Sequence, residues 1–469
     1  MNKLVMSRSH WEKAKAHLLE KRREHFAFFL CGVATFDDGI SFFVRDFIQI
    51  PDMNLHFARG VGFKLDLEAL LRVTNRARSE RLALVEAHSH PWVKNNVRFS
   101  PIDLNGLKEF VPYILDDLPG LPYAATVWGK KSVDGICWRF SAKNKTSLDE
   151  VRIVGDNLTR IITTSRSKRM RKKHKVSVDE KVSRQVLMIG KQGQEYVRQT
   201  KVAIIGLGGL GSQAAQMLAY LGVRDFVLVD FDKVEATNLN RLVGAGPKDL
   251  GRYKVDVAER MIRRIAGKGS LTIQKFESAL REQRVLDVLK KVDVIFGCVD
   301  KDGPRLILNE LSLAYLIPYI DCAFGINAEN DVIKEAGGRV ILVRPDGPCL
   351  LCCKEINLKA ASDDLAPKEE LEVRKSQGYV AGADVPSPSV ISLDGTVASV
   401  AVTEFLAFVT GFRPAQTYTF YDMLEQRLVP RLVKPNPKCV ASSLKGLGDK
   451  ANVERYAQTQ IPKDIPQIQ

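Results

Sequence analysis

The chain has few cysteines and histidines, and it lacks any long apolar run. Eight cysteines and seven histidines are spread over 469 residues. So low a cysteine density excludes a small secreted domain held together by disulfides. No apolar stretch approaches the length of a membrane span, and Met1 to Val5 does not begin a signal-peptide pattern. From these absences we expect a cytoplasmic protein without a membrane-spanning segment.

The abundant residues are those of an ordinary globular protein with an excess of positive charge. Hydrophobic residues make up 45% and charged residues 27% of the chain, whose formal net charge is +15. This length suffices for two to four domains. The positive excess is spread along the chain, so it favours an enzyme acting on nucleotides and acidic proteins over a nucleic-acid-binding protein.

A glycine cluster separates a predicted strand, Val202 to Ile205, from a predicted helix, Ala214 to Leu221. Its four members are Gly206, Gly208, Gly209 and Gly211. Glycine lets the backbone approach phosphate groups closely, and the start of a helix offers free N–H groups to an anion. Asp230 ends the next apolar run, where an acidic residue takes the ribose hydroxyls of a nucleotide. The pattern therefore predicts a nucleotide site.

Cationic residues around this loop favour one class of nucleotide enzyme. Arg184, Arg241 and Lys254 precede or follow the loop, and Asp300 follows a later apolar strand. An enzyme that attacks an α-phosphate needs cations to neutralise developing charge and a carboxylate to hold magnesium. An NAD-dependent redox enzyme, the alternative, needs no such cationic set.

Taken in order, the glycine loop, the acidic strand end, Asn-x-Asn-Arg, the lysine and Cys-x-Asp resemble the ThiF/MoeB/ubiquitin-activating family, from about Ser183 to Cys439. Members of that family use ATP and magnesium to adenylate the C-terminal glycine of a ubiquitin-like protein. The resemblance also implies a homodimer. By the same resemblance, the glycines hold phosphates and Asp230 holds the ribose. Asn240, Arg241 and Lys254 would contact phosphates. Asp300 would hold the metal, and Arg184 would act across the dimer interface.

A second group of reactive residues lies in the first part of the chain. His88-Ser89-His90-Pro91 follows an apolar strand, and Ser100 to Asp103 opens a predicted helix. Alternation along an extended segment puts both histidines on one face. Two histidines and a carboxylate leave one coordination position of zinc open, as in catalytic zinc sites. A neighbouring carboxylate then takes a proton from the metal-bound water.

Glu24, His-x-His-Pro and Ser-x-x-Asp together resemble the signature of the JAB/MPN (JAMM) metalloprotease domain, over Glu24 to Phe140. The resemblance implies that His88, His90 and Asp103 bind zinc, that Glu24 is the general base and that Ser100 stabilises the oxyanion. Glu86 is an alternative base. The alternative to a metal site is a metal-free histidine pair in a docking scaffold.

A cysteine cluster in the second half suggests a structural zinc site. Many ThiF-like proteins hold zinc with two Cys-x-x-Cys pairs, and this chain has Cys349 and Cys352 but retains only Cys439 of the second pair. Cys353 is an alternative fourth ligand, and buried thiols without metal are the alternative to a site. The predicted crossover segment, Leu358 to Val390, has no cysteine to form a thioester.

The order of predicted elements gives an α/β fold. Strands and helices alternate after Asp230, which predicts a Rossmann-like, doubly wound, mostly parallel sheet, and we expect a JAB/MPN-type α/β domain before it. The expected boundaries are a metalloprotease-like domain at 1–145, a basic helix and linker at 146–182, an adenylation domain at 183–442 and a polar, mobile tail at 443–469. Between the two domains we expect a helix over Asp149 to Ile162 and a basic run from Arg166 to Lys175.

These interpretations predict two enzymes fused in one chain and acting on one protein tail. One domain would adenylate the C-terminal glycine of a ubiquitin-like protein, and a zinc peptidase would process or deconjugate that protein. The alternative is activation of a sulfur-carrier protein for cofactor or cysteine biosynthesis, with the first domain as a processing peptidase or a metal-free scaffold. The expected cofactors are ATP, magnesium and zinc. A conjugating enzyme or a sulfur donor would be a further partner.

Overall fold

The structure is a computed structural model that describes residues 1–20, 23–58, 62–170, 180–329, 332–367 and 389–457. The chain divides into two compact units. Unit 1 contains Met1–Ser177, Ala314–Leu316 and Leu444–Ala451, and unit 2 contains Val178–Leu313, Ile317–Ser443 and Asn452–Gln469.

Unit 1 is built on a nine-stranded mixed sheet with the strand order β11-β10-β1-β3-β2-β6-β7-β8-β9. Its elements are β1 (Lys3–Ser7), α1 (Arg8–Leu19), β2 (Phe26–Phe36), β3 (Gly39–Gln49), β4 (Leu55–Ala58), β5 (Gly62–Leu65), α2 (Leu67–Ser79), β6 (Ala83–Ser89), α3 (Pro101–Asp117), β7 (Tyr123–Trp128), β8 (Val133–Trp138), β9 (Lys145–Ser147), β10 (Glu150–Val154), β11 (Leu158–Ile162) and α4 (Thr164–Met170). Strands β4 and β5 form a separate hairpin.

The two faces of this sheet carry separate cores, because successive side chains of a strand point to opposite faces. On β2, Phe29 and Cys31 join the core that includes Leu18 of α1. Phe28 and Leu30 join the opposite core, which includes buried residues of α2 and α3. The same alternation on β6 places His88, like Leu84, on the face covered by α3.

Unit 2 is built on an eight-stranded sheet with the strand order β14-β13-β12-β15-β16-β17-β18-β19. Its elements are α5 (Ser183–Gln199), β12 (Lys201–Ile205), α6 (Gly209–Leu221), β13 (Asp225–Val229), α7 (Lys254–Ala266), β14 (Thr272–Phe276), α8 (Gln283–Leu289), β15 (Val294–Gly297), α9 (Asp302–Ala314), β16 (Tyr319–Glu329), β17 (Val332–Val343), α10 (Leu358–Leu365), α11 (Ile391–Thr410), β18 (Tyr418–Asp422) and β19 (Arg427–Pro430). Strands β12 to β16 pair in parallel, and β17 to β19 extend the sheet in antiparallel fashion. The predicted α/β class is confirmed, and the second sheet is mixed, with a parallel part and an antiparallel extension.

Helix α11 is the most apolar helix of unit 2. It packs against α5, α6, β16 and β17, and its buried residues include Phe405 and Phe408. By length and composition alone this helix could cross a membrane, and half of its most apolar window is buried inside the protein. The expectation that no apolar run approaches a membrane span was therefore too strong.

The structure also differs from the sequence prediction between residues 146 and 182. A helix was predicted over Asp149 to Ile162, but strands β10 and β11 lie there and complete the first sheet. Val151 and Ile153 of β10 are both buried, which is the period-two pattern of a strand. The sheet therefore continues past the predicted boundary at 145. Residues 171–175, which contain most of the predicted basic run, lie outside the described residues.

The predicted mobile tail is folded in its first half. Short 3-10 helices form at Val440–Leu444, Asp449–Ala451 and Val453–Tyr456. Ala451 and Val453 are buried, because small apolar residues interrupt the polar composition. Residues 458–469 lie outside the described residues.

Candidate functional site

The carboxyl ends of three neighbouring parallel strands carry the predicted nucleotide residues. Gly206 follows β12, Asp230 follows β13 and Cys298 follows β15. Strand β12 lies between the other two, and the strand order changes direction there, from β14-β13-β12 on one side to β15-β16 on the other. Ligands of open α/β sheets bind in the crevice at such a point. The fold therefore brings three separate sequence motifs to one edge.

The glycine loop turns sharply from β12 into α6. Gly206 has a φ of +86°, and a Cβ added there would lie 2.5 Å from the carbonyl oxygen of Cys298. A Cβ at Gly211 would lie 1.9 Å from the Gly206 carbonyl oxygen. By contrast, a Cβ at Gly208 would have no neighbour within 4 Å. Gly208 is the N-cap of α6, and no side chain caps the helix there. The start of α6 therefore presents backbone N–H groups next to open space, which suits an anion.

Asp230 holds this loop in place. It is 8% exposed, and its Oδ2 accepts a hydrogen bond from the Leu207 N–H at 2.6 Å. Its Oδ1 accepts one from the Asp232 N–H at 2.8 Å. Burial raises the pKa of Asp230 above its usual value, although Lys254 and these two N–H groups act in the other direction. Each oxygen retains a second lone pair that can accept a hydrogen bond from a ribose hydroxyl.

Lys254, the first residue of α7, lies beside this carboxylate. Its Nζ donates to Asp232 Oδ2 at 2.7 Å, and its side chain is only 11% exposed. Asp232 was not among the predicted site residues. Its position two residues after Asp230 is the only sequence signal that could have found it.

Arg241 and Asn240 lie in the loop between β13 and α7. The Arg241 Nη1 donates to the Thr237 carbonyl at 2.6 Å and to Asn240 Oδ1 at 3.1 Å. The Arg241 Cδ lies 3.5 Å from where a Cβ on Gly209 would be. The structure therefore brings Arg241 to the glycine loop, as its predicted phosphate role requires.

A buried carboxylate of α11, Asp394, also contacts the loop and was missed by the sequence analysis. Asp394 is 3% exposed, and its Oδ2 lies 2.0 Å from the Cβ position of Gly209. The Ser389 hydroxyl donates to the same oxygen at 2.7 Å. Burial raises the pKa of Asp394, while Ser389 and Arg241 oppose that shift. Because the surrounding segment has a long apolar pattern, sequence gave no signal for this acid.

Two further predicted residues are exposed in unit 2. Asp300 follows β15 and is exposed at the same edge of the sheet. Val299, the residue before Asp300, is held by α9, because Arg305 Nη2 donates a hydrogen bond to the Val299 carbonyl at 2.8 Å. Arg184 lies in the first turn of α5 and is exposed. Helix α5 is interrupted at Gly190, whose φ is +71°.

In unit 1 the structure brings together the three predicted zinc ligands. Asp103 Oδ2 lies 3.4 Å from His88 Nε2 and 3.4 Å from His90 Nε2. Four ligands at about 2.05 Å from a tetrahedral zinc ion are separated by about 3.3 Å. The observed separations therefore fit a single ion bound by all three side chains.

The position of Asp103 depends on the cap of α3. The Ser100 N–H donates to Asp103 Oδ2 at 2.6 Å, and the Asp103 N–H donates to Ser100 Oγ at 3.1 Å. This reciprocal capping box orients the carboxylate towards the histidines. The Ser100 hydroxyl thus has a structural contact in addition to its predicted oxyanion role.

Glu24 and Glu86 are the two candidates for the predicted general base. Glu24 Oε1 lies 3.3 Å from His90 Nε2, and the Glu24 side chain is 21% exposed. Glu86 is 5% exposed and accepts a hydrogen bond from the Tyr123 hydroxyl. Burial raises the pKa of Glu24 and raises that of Glu86 to about 7. Glu24 therefore has the access to water that a base acting on a metal-bound water needs.

The histidine pair has aromatic neighbours. Trp92 stacks on His90 with ring centroids 5.4 Å apart, although 62% of Trp92 is exposed. Phe99 meets the edge of His88 at 5.6 Å. Both aromatic residues come from the segment between the His-x-His motif and α3, so this segment forms part of the wall of the site.

The cysteine cluster of unit 2 is also assembled. Cys349 Sγ lies 3.7 Å from Cys352 Sγ and 3.6 Å from Cys439 Sγ. Sulfur ligands at 2.3 Å from a tetrahedral zinc ion are separated by about 3.8 Å. Among the described residues these three thiols group together as possible ligands, and Cys353 is not one of the group. Burial raises the pKa values of Cys349 and Cys353 to about 12.

Comparison with known proteins covers mainly unit 2. The chain is 26% identical to ubiquitin-like modifier-activating enzyme 5 of Xenopus laevis, over 53% of this chain and 60% of that protein. It is 25% identical to the SAMP-activating enzyme E1 of Haloferax volcanii, over 61% of this chain and 96% of that protein. The chain thus spans about 60% of the length of the first relative. A crystal structure of E. coli MccB with ATP aligns with a TM-score of 0.45 at 19% identity, covering 56% of this chain and 75% of that one.

The family match covers the residues that were predicted to bind a nucleotide. Residues 182–441, more than half of the chain, match the ThiF family. This stretch contains the glycine loop, Asp230, Arg241, Lys254 and Asp300. The chain therefore belongs to the ThiF family.

Proposed function

We propose that unit 2 uses ATP to adenylate the C-terminal glycine of a ubiquitin-like protein. The observation that carries the proposal is the meeting of the uncapped start of α6 with Arg241, Lys254 and Asp230 at one crevice. Relatives named as activating enzymes for ubiquitin-like and SAMP proteins support the choice of acceptor.

Each residue of the proposed site has a separate role in one displacement reaction at the α-phosphorus of ATP. The carboxylate of the acceptor glycine attacks the α-phosphate, an acyl-adenylate forms and pyrophosphate leaves. Backbone N–H groups at the start of α6 bind phosphate oxygens, Asp230 takes the ribose, and Arg241 and Lys254 neutralise the charge that develops. Asp300 would hold magnesium, which neutralises phosphate charge when bound.

Asp232 positions the lysine for this step. The ion pair with Asp232 holds the Lys254 ammonium group in one position before substrate arrives. A group held in place in advance lowers the cost of reaching the transition state. Asp232 is 49% exposed, so solvent reaches the carboxylate side of the ion pair.

ATP–pyrophosphate exchange tests the proposal. We expect exchange only with a small ubiquitin-like protein that ends in glycine, and only in protein with Asp300 intact. Asp300→Ala is compared with Asp287→Ala, whose side chain is exposed on α8. A partner lacking its last glycine is the second control. Exchange without any protein partner, or full exchange in Asp300→Ala, would contradict the proposal.

The fate of the adenylate separates conjugation from sulfur transfer. With a conjugating enzyme present, conjugation predicts transfer of the partner to a thiol and then to an amine. With a sulfur donor present, the alternative predicts a thiocarboxylate on the partner, which adds about 16 Da by replacing oxygen with sulfur. Mass spectrometry of the partner distinguishes these products.

We also propose that the active unit is a homodimer in which Arg184 serves the partner's site. Its exposure in the first turn of α5 is the observation that favours this role. Mixing the single variants Arg184→Ala and Asp300→Ala tests it. If Arg184 acts across the interface, mixed dimers regain part of the exchange activity that each variant lacks alone.

For unit 1 we propose a second function, a zinc peptidase of the JAB/MPN type that cleaves next to the C-terminal glycine of the same partner. The spacing of His88, His90 and Asp103 fits a zinc ion, and this observation favours the proposal. Glu24 would take the proton from the water on the open position, and zinc would lower the pKa of that water.

Cleavage of a partner extended beyond its glycine tests the peptidase. We expect cleavage by wild type and none by Glu24→Gln, with zinc content unchanged in that variant. His88→Ala should lose the zinc ion of unit 1 and the cleavage activity. Unit 1 without zinc, but still binding the partner, would identify a docking scaffold instead.

A further inference from the structure

Two cysteines of unit 2 lie side by side next to the nucleotide crevice. The parallel pairing of β15 with β16 ends with Gly297 opposite Asp321, so Cys298 and Cys322 are the next pair in that register. The neighbouring Cys298 side chain raises the pKa of the Cys322 thiol, and both cysteines are free. Neighbouring strands are about 4.8 Å apart, within the usual Cα–Cα range of a disulfide, about 4.4–6.8 Å.

The two thiols differ in their access to solvent. Cys298 is partly exposed, whereas Cys322 is 1% exposed. A small oxidant from solution therefore reaches Cys298 first, and the buried Cys322 follows the paired position on the neighbouring strand. An accessible thiol beside a second one is the arrangement found where cysteine oxidation is reversible.

We propose that Cys298 and Cys322 form a redox modification site that joins them in a disulfide when a peroxide is present. Hydrogen peroxide oxidises the Cys298 thiol to a sulfenic acid and is itself reduced to water. The Cys322 sulfur then attacks the Cys298 sulfur, the S–S bond forms and the S–OH bond breaks, and the thiol proton leaves with the hydroxyl as a second water. A small dithiol reverses the change by thiol–disulfide exchange.

The disulfide would act on the nucleotide crevice because Cys298 is part of its framework. The Cys298 N–H donates to the Ile205 carbonyl at 2.8 Å. Its carbonyl oxygen lies 2.5 Å from the Cβ position of Gly206, and its Cβ lies 3.4 Å from the Cβ position of Gly211. Pulling the Cys298 side chain towards Cys322 therefore shifts the backbone against which the glycine loop packs, two residues before Asp300.

This inference goes beyond the proposed adenylation. Formation of the disulfide depends only on the two thiols, whereas its effect is expected on nucleotide binding. A failure of the adenylation proposal would leave the cross-link and the binding effect in place, so the two ideas fail separately.

Peptide mapping by mass spectrometry tests the chemistry. Full-length protein is treated with a small excess of hydrogen peroxide, alkylated and digested. We expect a linked peptide pair containing Cys298 and Cys322, which is lost after dithiothreitol treatment. Absence of that pair while other cysteines are oxidised would overturn the proposal.

Nucleotide binding tests the consequence. We expect peroxide to weaken binding of a fluorescent ATP analogue about tenfold or more in wild type, the effect of losing one hydrogen bond to a charged group, and dithiothreitol to restore it. Cys322→Ser should bind the analogue like wild type and lose this sensitivity. Cys353→Ser, the matched control elsewhere in unit 2, should keep it. Equal sensitivity in Cys322→Ser and wild type would overturn the proposed role of the pair.

Discussion

The side-chain Oδ2 of Asp230 accepts a hydrogen bond from the backbone N–H of Leu207, at 2.6 Å. This contact ties the end of β13 to the glycine loop that follows β12. The carboxylate therefore has two roles in the proposed site, since it shapes the phosphate loop and faces the ribose. A variant at this position affects nucleotide binding even if ribose contacts contribute little.

We expect Asp230→Asn to weaken nucleotide binding about tenfold or more, because a hydrogen bond to a charged group contributes about 1.5–3 kcal/mol. The amide has one accepting oxygen, so one of the two N–H groups at Leu207 and Asp232 loses its partner. Isothermal titration calorimetry with an ATP analogue measures the change. Asp225→Asn, at the opposite end of β13, is the matched control and should bind like wild type.

Two neighbouring glycines should respond very differently to alanine. Gly206→Ala places a methyl group 2.5 Å from the Cys298 carbonyl oxygen at a positive φ, so we expect a loss of about 1–3 kcal/mol or more in unfolding free energy. Gly208→Ala meets no neighbour within 4 Å. It should cost less than about 1 kcal/mol in stability while still weakening phosphate binding. Denaturant unfolding and nucleotide titration of both variants check this contrast. Equal loss of stability in the two variants would contradict it.

The two metal-ligand clusters predict the zinc content of the purified protein. We expect two zinc ions per chain by mass spectrometric metal analysis, one at His88, His90 and Asp103 and one at the cysteine cluster. His88→Ala and Cys349→Ser should each remove one ion and leave the other. Cys353→Ser, outside the cluster, should retain both. If Cys349→Ser leaves the zinc content unchanged, the cysteine cluster is three thiols without a metal and the structural zinc prediction is wrong.

Features set by local sequence were predictable, and features set by strand register or distant packing were not. Ser100 was expected to cap a helix that carries Asp103, because a capping box is a pattern of four adjacent residues. The strands over 150–162 were missed because the alternation that Val151 and Ile153 show covers too few residues to distinguish a strand from a helix. Pairing with β1, more than a hundred residues away, decides their conformation.

The same distinction explains what was found of the nucleotide site. The glycine loop and Asp230 follow strands, Lys254 opens α7, and Arg241 lies in the loop between β13 and α7. Parallel strands bring such positions to one edge. Asp394 reaches Gly209 only because α11 packs across α6. Cys298 and Cys322 become neighbours only through the register of β15 and β16. Neither relationship has a counterpart in sequence spacing.

Asp394 gives the most direct test of how the crevice balances charge. Its carboxylate lies against Gly209 in the first turn of α6, where the phosphates of a bound nucleotide would be. A negative charge there opposes an incoming polyphosphate by about 2 kcal/mol at a distance of several ångströms. We therefore expect Asp394→Asn to bind ATP more tightly than wild type when magnesium is absent, by about tenfold or more.

The Asp394→Asn variant should also change how the stability of the protein depends on pH. Burial raises the pKa of Asp394 in the folded protein, so the folded state binds this proton more tightly than the unfolded state does. The charged form then costs stability, and this cost appears as the pH rises through the ordinary pKa of an aspartate towards the raised one. Asp394→Asn should remove that part of the pH dependence, while Ser389→Ala, which deletes the hydroxyl that stabilises the charged form, should enlarge it. Weaker ATP binding by Asp394→Asn, with magnesium present and not in its absence, would instead identify Asp394 as a second carboxylate that holds the metal.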